Sequence, residues 1–154
     1  MRTDGMQLSV RHRAWLYGAF AVLFLSGLAW MVLHWWLPHD GVHPGEPWAL
    51  RLHGAAALLT LVMLGTLVPL HIKRGWQARR NRGHGLVIMT VNLVLIVTGY
   101  ALYYAGDERW RDVSRWMHIV LGLLLPVVIV WHVLAGRTTR PRHLHARRVR
   151  HLTE

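Results

Sequence analysis

The sequence predicts an all-α integral membrane protein, a four-helix bundle running up-down-up-down with both termini cytoplasmic. Three observations predict it. Hydrophobic residues make up 53% of the 154 positions and charged residues only 16%, where a soluble domain averages roughly 25% charged. Four apolar stretches of 21 to 24 residues follow one another, and each is long enough to cross a hydrocarbon core of about 30 Å at ~1.5 Å per residue. Lys and Arg gather at alternate ends of those stretches. This composition excludes an ordinary soluble enzyme and a disordered basic tail protein.

The first span covers about residues 14–37. It is too long for the apolar core of a signal peptide and ends in His34-Trp35-Trp36-Leu37-Pro38 with no small-residue cleavage site, so it reads as a retained helix. The second covers about 52–72, the third about 85–105 and the fourth about 116–136. Short connections make sequential helices antiparallel neighbours. Residues 1–136 thus read as a single four-helix domain, followed by a basic cytoplasmic tail, 137–154. Outer loops of about 14 and 10 residues are too small to carry chemistry, and Pro38, Pro44, Gly45 and Pro47 make the first an irregular turn. No internal repeat is visible.

Orientation follows from the cations. Arg2, Arg11 and Arg13, then Lys73, Arg74, Arg79, Arg80 and Arg82, then the six arginines of the tail fall on one side. Only Arg51, Arg109, Arg111 and Arg115 fall on the other, with five of the seven acids. The positive-inside bias makes the crowded side cytoplasmic, as expected in a bacterial inner membrane. The net charge of +11 therefore orients the chain; lipid headgroups are its expected partners, and nucleic acid is not. Trp30, Trp35, Trp36, Trp48, Trp110 and Trp116 gather near the outer face as an interfacial belt.

There is no cysteine, which excludes disulfides, cysteine-ligated clusters and covalent c-type haem. The 12 histidines are the supply of ligands. Ionisable side chains within a span are costly and mark function by default. Four stand out: His53 and His71 bracket the second span, and His118 and His132 lie in the fourth. These two helices run in the same direction, so His53 shares a depth with His118, and His71 with His132. The steps of 18 and 14 residues each return to nearly the same helix face at ~100° per residue. Opposed imidazoles at one depth are what bis-histidine ligation of a haem iron requires. Arg51 and Arg115 stand just outside the outer pair, suited to haem propionates. Ala57 and Gly122, one turn deeper, leave room for a flat ring, and Trp116 and Trp131 flank the fourth-helix pair.

Leu52-His53-Gly54, Pro69-Leu70-His71, Thr98-Gly99-Tyr100 with Leu102-Tyr103-Tyr104, and His118 followed by Gly122 and His132 together resemble the bacterial membrane cytochrome b superfamily of four-helix, di-haem electron carriers. That superfamily includes the b-type subunits of hydrogenases and formate dehydrogenases. The likeness covers about residues 51–137. It implies one or two non-covalent b haems, electron transfer linked to quinone or to a redox partner protein, and an inner-membrane location. An electron-transfer subunit fits this better than a stand-alone enzyme. The sequence departs from the pattern on the second helix, where the ligand spacing is 18 and not about 14. The offset is about one turn and falls on the cytoplasmic side, where a kink at Pro69 or Pro126 could absorb part of it.

His12, His34 and His84, at the ends of the first and third spans, are alternatives to His71 or neighbours of a haem edge. His39 and His43 read as turn residues or a weak metal site, and His143, His145 and His151 as solvated tail. Asn92 reads as an interhelical hydrogen bond, with contact to a quinone or haem as the alternative, and Gly18, Gly27, Gly65 and Gly99 as points of close helix packing. Two other readings remain: a cofactor-free scaffold or assembly subunit, and a histidine-lined transporter of protons or metal ions.

Overall fold

The computed structural model describes residues 10–37, 40–68, 72–73, 77 and 82–138. Every long element among them is a helix. They are α1 Val10–Trp35, α2 Glu46–Leu67, α3 Arg82–Tyr104 and α4 Glu108–Thr138. Each contains an 18-residue stretch of mean hydropathy between 1.6 and 2.5, so all four are long and apolar enough to cross a membrane.

The helices begin earlier than the apolar spans. α2 starts six residues before the expected residue 52, and α4 eight before residue 116. The first turns of α2 and α4 are polar, where hydropathy gives no signal, but carry residues that suit a helix start. Pro47 sits in the first turn of α2, where its missing N–H costs nothing, and Glu46 suits the positive end of the helix dipole. At α4, the carboxylate of Asp107 accepts the Trp110 N–H at 3.0 Å, which satisfies an otherwise orphaned donor. Most of the expected ten-residue second outer loop is therefore helix. Asp107→Ala is expected to cost about 0.5–2 kcal/mol of helix stability, read as fraying of the first turn of α4 in hydrogen exchange.

The first connection turns at Gly41, whose φ of +91° lies in the left-handed region that glycine tolerates. It is closed by a reciprocal pair. The Glu46 N–H donates to the His43 carbonyl at 2.9 Å, and the His43 N–H donates to Glu46 Oε1 at 3.2 Å.

The chain divides into two compact units, residues 1–78 and 79–154. The first holds α1 and α2. His12 meets Thr66, Gly27 meets His53 and His34 meets Glu46, so numbers rise along one helix as they fall along the other. The hairpin is antiparallel. The second holds α3 and α4, where Gly99 meets His118 and His84 meets Trp131, again antiparallel. The tail beyond Thr138 lies outside the described residues.

Buried positions are mostly small or hydroxylated: Ala19, Ser26, Ala56, Thr60 and Thr98. Large apolar side chains point outward instead, Leu58 at 67% exposure, Leu93 at 61% and Val127 at 65%. Water would not tolerate so much contiguous apolar surface, while lipid does. Small seams let helix backbones approach where burial of apolar area is no longer a driving force. Trp36, Trp48, Trp110 and Trp116 are exposed, as an interfacial belt requires. Thr60 Oγ1 is buried without a hydrogen-bond partner among the described residues. Thr60→Val, which removes that hydroxyl at constant shape, is expected to leave thermal unfolding unchanged or raise its midpoint.

Candidate histidine site

His53 lies seven residues after Glu46, two turns deeper on the same face of α2. Its Nδ1 is 2.9 Å from the Leu23 carbonyl oxygen and 3.2 Å from Ser26 Oγ, both on α1. A carbonyl only accepts. The Ser26 hydroxyl already donates to that same carbonyl at 3.0 Å, so its oxygen faces Nδ1 as an acceptor. The proton must sit on Nδ1, and in the neutral ring the lone pair is then at Nε2.

The second hairpin repeats the arrangement. His118 Nδ1 is 3.0 Å from Thr98 Oγ1 on α3. The Thr98 hydroxyl also lies 2.7 Å from the Val94 carbonyl and 3.2 Å from the Leu95 carbonyl of its own helix. An imidazole whose Nδ1–H is held by an acceptor ligates a metal through Nε2.

Glycine lets each ring lie this close. A Cβ built at Gly27 would stand 3.0 Å from His53 Cε1, and one at Gly99 would stand 3.3 Å from His118 Cε1. These two glycines therefore serve a histidine ring. Among the described residues Gly18 and Gly65 have nothing within 4 Å of an added Cβ, so no neighbour there requires a glycine. Each hairpin carries a hydroxyl–glycine step, Ser26-Gly27 or Thr98-Gly99, facing the histidine of its partner helix. That repeat was missed in the sequence. The step-to-histidine separations differ, 26 residues from Gly27 to His53 and 19 from Gly99 to His118, so no fixed period reveals it.

The other candidates are distributed differently. His71 lies outside the described residues, with Pro69, His39, His143, His145 and His151. His132 is on α4 with its Nδ1 buried. His12 Nε2 is 3.1 Å from Thr66 Oγ1. Thr66 Oγ1 also lies 2.7 Å from the Met63 carbonyl of its own helix. His84 packs its ring 4.3 Å from Trp131. His34 stacks on Trp30 at 4.7 Å and bonds Glu46 Oε2 at 2.9 Å. His43 Nδ1 accepts the Gly45 N–H at 3.0 Å.

Arg51 rests its guanidinium 4.8 Å over the Trp48 ring, and Arg115 pairs with Asp112 at 3.0 Å on its own helix. Both arginines are exposed, so these contacts are weak and exchangeable. Asn92 donates to the Ile88 carbonyl of its own helix, α3, at 2.8 Å.

Among the described residues no group of three or more His, Asp or Glu side chains converges to hold a metal ion. The usual zinc site, with three or four protein ligands, is not built from them. A macrocycle that brings its own equatorial donors asks the protein for axial ligands only. Imidazole is such an axial ligand. No protein-family model, characterised protein or solved structure matches this chain.

Proposed function

We propose that this chain is an integral membrane b-type cytochrome that carries electrons through one or two bis-histidine haems. It would connect a quinol pool or a redox partner protein across a bacterial inner membrane, with both termini cytoplasmic. The observation that carries the reading is that each hairpin seats one part-buried imidazole against its neighbouring helix, with Nδ1 of His53 held at the Leu23 carbonyl and Nδ1 of His118 at the Thr98 hydroxyl.

In this reading His53 and His118 hold the outer haem, and His132 with His71 the inner one. The haem supplies a reversible one-electron iron couple. The chain supplies axial nitrogen, an apolar surround and charge. Arg51 and Arg115 would receive propionates, each giving up an exposed same-helix contact of little energetic weight.

Reduced-minus-oxidised spectra of purified protein, with a pyridine haemochrome assay for stoichiometry, test the proposal. A b-type α-band at one or two haems per chain supports it. Colourless protein after expression with ample haem overturns it in favour of a scaffold. Colourless protein that moves protons or metal ions in proteoliposomes overturns it in favour of a transporter.

A further inference from the structure

We infer that Glu46 sets the reduction potential of the iron site at His53, holding it down with a buried negative charge. This role rests on the haem reading and adds to it a regulator outside the ligand set. Glu46 is the only charged side chain buried among the described residues, at 7% exposure. By sequence it is one of five acids in the outer loops; the structure takes it out of water at the first turn of α2. His53 lies seven residues on, two turns deeper on the same helix face and about 10 Å along the axis. Both residues belong to one helix, so helix geometry fixes that separation. Burying a carboxylate is costly unless it is hydrogen-bonded. Glu46 Oε1 accepts the His43 N–H at 3.2 Å, and Oε2 lies 2.9 Å from His34 Nδ1. The Glu46 N–H also donates to the His43 carbonyl at 2.9 Å, which pins the residue at the head of the hairpin.

Reduction of an iron held at His53 adds one electron and lowers the charge there by one. A fixed negative charge nearby opposes that step. At a separation of about 10 Å and an effective dielectric constant of about 20, the opposition is worth roughly tenfold in the ferrous-to-ferric ratio. Other charges near His53 weigh less. Arg51 is only two residues away and of opposite sign, but it is exposed, with its guanidinium over the Trp48 ring. Water and salt screen such a group, and in the haem reading a propionate neutralises it. His34 meets Glu46 from α1 and is exposed; it offsets the carboxylate only in its protonated form. Glu46 therefore makes the outer site a readier electron donor than a neutral residue would. The electron passes to the second haem or to the redox partner. Glu46 does not touch the iron in this scheme; it acts through its field.

The test is a potentiometric titration of full-length, haem-loaded protein in lipid nanodiscs, with haem content and the low-spin spectrum recorded first. The outer component is the one lost in His118→Ala. Glu46→Gln keeps the shape and an acceptor oxygen for the His43 N–H. It should raise the midpoint potential of that component by about 59 mV, the equivalent of tenfold for one electron, with the low-spin spectrum unchanged. Glu46→Asp, which restores the charge, should stay near the parent value. Any second, cytoplasmic haem should hold its potential in both variants. If Glu46→Gln fails to accumulate, His34→Arg takes its place; it sets a permanent cation against Oε2 and should raise the same potential. A potential that does not rise in Glu46→Gln, or in His34→Arg where that variant stands in, overturns the inference and leaves the cytochrome reading in place. So does a rise as large in Glu46→Asp, or one that comes only with loss of the low-spin spectrum, since either marks a structural role. Colourless parent protein overturns the cytochrome reading and the inference with it.

Discussion

Purified His118→Ala protein is expected to lack the α-band of the outer haem, with helical content by circular dichroism unchanged. His53→Ala should give the same spectrum. Six-coordinate ligation needs both imidazoles, so removing either loses the low-spin signature and most of the affinity. The controls are chosen from the structure. His34→Gln and His43→Gln alter histidines engaged at the outer loop and should leave the α-band intact. An α-band that survives both His118→Ala and His53→Ala would remove these residues from the site. Loss confined to half the haem would mark a second, cytoplasmic haem that does not depend on them.

Leu93→Arg carries the second large expectation. Leu93 is 61% exposed near the middle of α3. On a soluble protein, an exposed leucine replaced by arginine changes stability by roughly 0.5 kcal/mol or less. At the centre of a bilayer the same change costs about 2.5–3.5 kcal/mol of insertion free energy. The variant should therefore fail to accumulate in the membrane fraction, while Leu93→Phe accumulates normally. Equal membrane yields of the arginine variant and the parent would argue against α3 as a lipid-facing span.

Much of the fold was legible in the sequence, because hydropathy over 20 residues is a strong and local signal. The four apolar stretches correspond one to one with α1 to α4. The helix starts were not legible from hydropathy. Glu46-Pro47 and Asp107-Glu108 start helices among polar residues, marked only by first-turn chemistry: Pro47 and Glu46 in α2, the Asp107 cap in α4. The histidines were legible as ionisable groups in apolar surroundings. Their partners were not. Ser26 and Thr98 look like ordinary small polar residues, and what pairs them with His53 and His118 is the register of each hairpin. Register depends on connection length, which differs between a long first turn around Gly41 and the three residues that separate α3 from α4. Asn92 adds a bond to a carbonyl one turn back on its own helix, which no hydropathy pattern marks.

The division of the chain into two hairpins has a consequence for biosynthesis. Chains emerge from the ribosome N-terminus first, so residues 1–78 are complete before the second hairpin exists. A hydroxyl left without a hydrogen bond in hydrocarbon costs roughly 2–7 kcal/mol, and a polar imidazole ring is likewise costly there. Here Ser26 and His53 belong to one hairpin, and Thr98 and His118 to the other. Each pair can close as its two helices leave the insertion machinery, so neither histidine waits in lipid for a partner not yet translated.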